Sequence, residues 1–96
     1  MKIILKPHLK IRLQQRLIPQ DYPKKILSDP EENYFDTLTN RKIAIKTLRY
    51  YGKLRLMAVA YDIIEDTIEA ITIHPVTEQE INNKLQRRRW IKNEKN

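Results

Sequence analysis

Arg41-Lys42-Ile43-Ala44-Ile45-Lys46-Thr47-Leu48-Arg49-Tyr50-Tyr51-Gly52-Lys53-Leu54-Arg55-Leu56-Met57-Ala58-Val59-Ala60-Tyr61 is the stretch that decides the fold. Two strand-like runs flank Gly52, the only glycine of the chain. Apolar and β-branched runs about a short glycine-containing turn predict a β-hairpin, with strands over 41–49 and 53–64. Glu65-Asp66 makes the next turn, and a third strand over 67–74 completes an antiparallel meander. With even-numbered loops, the two-residue period of a strand assigns the faces. One face collects Ile43, Ile45, Leu54, Leu56, Ala58, Ala60, Ile71 and Ile73, and reads as core. The other collects Lys42, Ala44, Lys46, Arg55, Met57, Val59, Tyr61, Ala70, Thr72 and His74. On that mixed, basic face Lys46, Arg55, Thr72 and His74 are expected to converge.

Upstream, Lys2-Ile3-Ile4-Leu5-Lys6 predicts a short strand ending at Pro7, and Pro7 suits the first position of a helix. Leu9, Leu13 and Leu17 recur every four residues and predict a core-facing stripe for a helix over 8–17. A second short helix, Gln20 to Ser28, is stopped by Asp29-Pro30. Tyr34-Phe35-Asp36-Thr37 favours strand. Downstream, Thr77-Glu78-Gln79-Glu80 fits a capping box with Val76 and Ile81 as its staple, and the helix it opens carries Arg87, Arg88, Arg89 and Trp90. The expected fold is α+β: N-terminal helices packed on an antiparallel sheet of about four strands, closed by a C-terminal helix. One domain is expected over 1–92, with a polar tail at 93–96 that frays.

The chain has 96 residues, 41% hydrophobic and 32% charged, which fits one folded domain and not a disordered segment. Nineteen Lys and Arg against 12 Asp and Glu leave a net charge of +7. That excess favours polyanionic partners, because each neutralised phosphate releases counterions; an acidic protein partner suits it too. No apolar run is long enough to span a membrane, and Met1 to Leu5 meets Lys6 too soon for a signal peptide. With no cysteine there is neither a disulfide nor a thiolate metal site, so the default expectation is a cytoplasmic protein.

The chemistry-bearing residues are few. His8 and His74 are the only histidines, and both lie near arginine. His8, Arg12 and Arg16, spaced by four, share one stripe of a helix beside the leucines. Histidine serves as general acid or base, and the arginine fork matches phosphate oxygens. Near-neutral proton carriers beside fixed positive charge point to phosphodiester chemistry. Arg55 sits mid-strand among apolar residues, where a charge needs a reason. Arg16, Lys42, Lys46, Thr72 and the run Arg87-Arg88-Arg89 are candidates for binding RNA. Each has an ordinary alternative: a solvated helix flank paired to Asp21 or Glu31 for His8, Arg12 and Arg16, a turn-capping residue for His74, surface charge for the lysines. For Arg87 to Arg89 that alternative is a solvated helix end with Trp90 packed on the core. Asp62, Glu65, Asp66 and Glu69 have no metal-ligand spacing, and one glycine makes no phosphate loop, so neither metal nor cofactor is expected.

These residues resemble those of a known group. His8-x3-Arg12-x3-Arg16, a second helix ending near Leu27-Ser28-Asp29-Pro30, the hairpin Gly52-Lys53-Leu54-Arg55 running to Tyr61, and the strand Ile71-Thr72-Ile73-His74 together span about residues 5–75. The chain is similar in these to small RelE-like proteins of the barnase–EndoU–colicin–RelE superfamily, and nearest to domains of unknown function related to BrnT toxins. The resemblance implies a metal-independent endoribonuclease toxin held inactive by an antitoxin with an acidic segment. It places catalysis on Arg55 and His74 of the sheet with His8 and Arg12 of the helix. Where some RelE-type toxins carry a C-terminal tyrosine and several lysines, this chain has Trp90 and arginines, and the general base stays open. The alternative is a non-catalytic nucleic-acid-binding or regulatory module on the same fold.

Overall fold

The hairpin about Gly52 forms in the computed structural model, which describes residues 2–93. Strand β3 (Arg41–Tyr50) pairs antiparallel with β4 (Lys53–Ile64), Tyr50 opposite Lys53. Tyr51 and Gly52 take φ of 53° and 78°, the positive pair of a type I′ turn, whose twist matches that of the strands. Glu65-Asp66 then leads into β5 (Thr67–Val76).

The sheet differs from the expected one. It has six strands in the order β1-β5-β4-β3-β2-β6, with β1 (Lys2–Leu5), β2 (Glu32–Asp36) and β6 (Trp90–Lys92) added around the meander. It is mixed, not antiparallel throughout: β1 runs parallel to β5, Leu5 opposite Ala70. Helices α1 (Pro7–Gln15) and α2 (Tyr22–Ser28) cover one face, and α3 (Glu78–Gln86) covers the other. The expectation of N-terminal helices on four antiparallel strands with a terminal helix is therefore overturned, and β6, not a helix, ends the described chain.

Because both faces carry helices, both are core, and no basic sheet face exists. Leu9, Leu13, Ile18 and Ile26 bury Ala44, Met57, Val59, Ala70 and Ile73 on one side. Ile81 with half-buried Leu85 packs on Tyr34, Ile43, Ile45, Ala58, Val76 and Trp90 on the other. A β-bulge explains the misassigned residues. Tyr61 pairs with Ala70 but Ala60 pairs with Thr72, so Ile71 is an extra residue and the parity of β5 inverts beyond it. Ile73 joins Met57 and Val59 under α1, while Thr72 and His74 turn to the α3 side opposite Ala60 and Ala58.

Helix α1 also stops earlier than the leucine repeat predicts. Ile18 N–H bonds to Leu13 O at 2.9 Å and Leu17 N–H to Gln14 O, a Schellman ending with Leu17 left-handed at φ 56°. Leu17 is thrown out to 73% exposure and Ile18 takes the core position instead. Helix α3 ends the same way: Arg89 N–H reaches Lys84 O and Arg88 is left-handed, so the arginine run leaves the helix and Trp90 enters β6. Its start is as expected, with Thr77 and Glu80 exchanging both capping-box bonds.

Candidate functional site

Strand β1 covers the outer edge of β5 only from Thr67 to Ala70. Among the described residues no strand pairs with that edge beyond Ala70, and α1 packs beside β5, started by Pro7 and anchored by buried Leu9 and Leu13. Between them runs an open cleft of about 290 Å³ lined by His8, Leu9, Arg12, Arg16, Ile71, Thr72, Ile73 and His74. The four-residue spacing sets His8, Arg12 and Arg16 along one rim. Ile71 to His74 of β5 border the other. None of these lining residues is acidic.

The arginines differ in their engagement. Arg16, half-buried, donates from Nη1 to Ile73 O at 3.3 Å and so caps an edge carbonyl that lacks a strand partner. Its own carbonyl accepts the Tyr50 hydroxyl at 2.8 Å. Arg12 and His8 are exposed, and among the described residues neither has a carboxylate in ion-pair range; Asp21 pairs instead with Lys25, and Glu31 accepts from Thr47.

His74 is half-buried in β5. Burial first, then the positive charges of Arg16 and Lys84, hold its imidazole below the ordinary 6.5, against a smaller opposing pull from Glu80. It is thus kept mostly neutral at pH 7, the form that accepts a proton. Lys84 was not singled out by sequence reasoning; only the bulge, invisible in composition, turns His74 toward α3.

The remaining candidates lie elsewhere. Arg55 does not line the cleft: it shares the α1 and α2 side with Met57, and its Nε donates to Tyr50 O at 2.9 Å. Arg55 is the third residue of β4 and only half-buried, so the charge is not placed deep in the core. Lys46 pairs with Asp29 at 3.2 Å. Lys42 lines a separate apolar groove with Phe35, Ile63 and Ile91. The expected convergence of Lys46, Arg55, Thr72 and His74 is absent because the inverted parity of β5 sends the last two to the opposite face.

Arg87, Arg88 and Arg89 border a second cleft, of about 510 Å³, with Lys84, Thr37 and Leu38. Arg89 is committed there to Asp36, Nε to Oδ1 at 2.9 Å. Asp36, only 5% exposed, also accepts from Leu38 N–H, Thr39 N–H and Trp90 Nε1. Burial alone would raise its carboxyl; Arg89 and the two backbone donors outweigh it and hold the group at about 2. Arg89 is thus a structural clamp between the end of β2 and β6, whereas Arg87 and Arg88 are exposed. Trp90 is buried and stacks on Tyr34 at 5.4 Å.

Among the described residues no three His, Asp or Glu side chains gather closely enough to hold a metal ion. No helix among the described residues is long and apolar enough to cross a membrane. Of the polar tail, Asn93 donates its N–H to Asn33 O, and residues 94–96 lie outside those described. No family model, no curated protein and no solved structure matches this chain.

Proposed function

We propose that this chain is an endoribonuclease of the RelE-like toxin kind, cleaving RNA in the cleft between α1 and β5. One observation carries the reading: both histidines of the chain and two arginines line a single cleft that has no carboxylate. His74, held neutral, takes the proton of a ribose 2′-OH at a ring nitrogen. The 2′-oxygen attacks phosphorus, Arg12 and Arg16 stabilise the charge on the phosphorane oxygens, and His8 protonates the departing 5′-oxygen. The products are a 2′,3′-cyclic phosphate and a 5′-hydroxyl. Acid, base and counter-charge are all supplied by side chains, so the cycle requires no metal. The phosphate clamp moves from Arg55, which the resemblance implies, to Arg12 and Arg16. Arg87, Arg88 and Lys84 serve to hold flanking RNA backbone. An antitoxin with an acidic segment is the regulatory partner that the net charge of +7 suits, and the cytoplasm is the compartment where such a pair acts.

A non-catalytic RNA-binding module is the second reading, favoured by the commitment of the Arg16 guanidinium to Ile73 O. Induced expression separates the two. Wild type is expected to arrest growth and degrade cellular RNA; His74→Ala and Arg12→Ala at equal soluble expression are expected to do neither, and Arg55→Ala to behave as wild type. Normal growth with intact RNA would remove the nuclease reading.

A further inference from the structure

The aromatic pair at the tip of the β3–β4 hairpin has no part in the chemistry above. Tyr51 is 67% exposed, and its ring stacks on that of Tyr50 at 4.4 Å and 23°. Tyr50 is buried, and its hydroxyl is fixed to the carbonyl of Arg16, whose side chain lines the cleft. Tyr51 is therefore an exposed aromatic face held firmly by a buried ring, two contacts from the cleft. The charges along the hairpin itself are of one sign. Arg49 and Lys53 flank the turn, both exposed, and no acidic residue occurs anywhere from Arg41 to Tyr61. Arg49 is further drawn over the turn by its Nη1 contact to Gly52 O.

We infer that the open face of Tyr51 is a nucleobase-stacking subsite, which takes an unpaired base of a single-stranded RNA whose phosphate lies at Arg12 and Arg16. An exposed, rigidly backed tyrosine among cations has the two properties that single-strand binding needs: a flat π-face and compensation for the neighbouring phosphates. A duplex cannot use it, because its bases are already stacked and its grooves do not admit a hairpin tip to a base face. The subsite thus makes the substrate single-stranded. This inference rests on the RNA reading of the cleft, and binding without cleavage tests it separately.

The experiment titrates the full chain with a 2′-O-methyl oligoribonucleotide, which has no attacking hydroxyl, and with an abasic oligomer of equal phosphate number. Tyr51→Asn is the informative variant, because asparagine suits a left-handed turn position and folding is preserved. Tyr51→Trp restores a stacking face. Wild type and Tyr51→Trp are expected to bind the base-bearing oligomer at least about tenfold more tightly than Tyr51→Asn does. All three are expected to bind the abasic oligomer alike. Equal affinity of wild type and Tyr51→Asn for the base-bearing oligomer would overturn the subsite and leave the cleft reading intact. Failure of wild type to bind either oligomer would overturn both. Binding as expected, with no cleavage of ordinary RNA, would keep the subsite and remove the nuclease.

Discussion

His74 and Asp36 are two residues whose charge states the fold shifts in the acid-to-neutral range. For His74 the folded chain disfavours the proton, through burial and through Arg16 and Lys84. The unfolded chain therefore protonates first as pH falls, and the contribution to stability is full above about pH 6.5 and declines below it. Urea midpoints measured at pH 7.5 and pH 5.5 are expected to fall for wild type and to fall less for His74→Gln; equal falls would contradict the assignment. Asp36 is also held below its ordinary value, but there the fold favours the charged form. Its folded value of about 2 lies below the ordinary 3.8, so its contribution is present above that ordinary value and is lost as pH drops through the interval. Asp36→Ala leaves the Trp90 indole N–H and two backbone N–H groups without their acceptor and unpairs the part-exposed Arg89, and a loss of about 2 kcal/mol in urea denaturation is expected. A loss below about 1 kcal/mol would show that the clamp is dispensable.

At the scale of elements, two devices were not legible in the sequence. The first is the left-handed helix ending. Glycine or asparagine normally marks it, but here Leu17 and Arg88 occupy those positions, so α1 and α3 both read as longer than they are and β6 was hidden inside an apparent helix. Leu17 supports the point by its 73% exposure: it contributes little packing and bears the left-handed strain. Leu17→Gly is accordingly expected to raise stability by about 0.5–1 kcal/mol, read as a higher urea midpoint at unchanged slope. A lower midpoint would mean that Leu17 packs in a way its exposure does not reveal. The second device is the bulge at Ile71, which follows from no residue preference and shifts everything after it by one. The features with a local physical signal were readable: the hairpin about Gly52, the Pro7 helix start, the capping box at Thr77. The parallel β1–β5 pair is a long-range choice, and no local pattern announces it.

For the whole molecule, the topology determines which of the sequence candidates can cooperate. Parallel β1 is short and among the described residues pairs with β5 only as far as Ala70; the stretch of β5 beyond it, with His74, borders the cleft together with α1. His8, Arg12, Arg16, Thr72 and His74, all singled out by residue type and spacing, thereby line one cleft. Arg55 and Lys46 are held by partners of their own, and Lys42 lines a separate groove. The helical stripe was legible because spacing alone sets it, whereas its meeting with His74 depends on the long-range placement of α1 beside β5. The most direct measurement is cleavage of a short single-stranded RNA by the purified chain in the presence of a chelator, with the product ends identified. Wild type is expected to yield 2′,3′-cyclic phosphate and 5′-hydroxyl ends, and His74→Ala and Arg12→Ala to be slower by about a hundredfold or more. RNA left intact by folded wild type, or both variants cutting at the wild-type rate, would contradict the proposed active site.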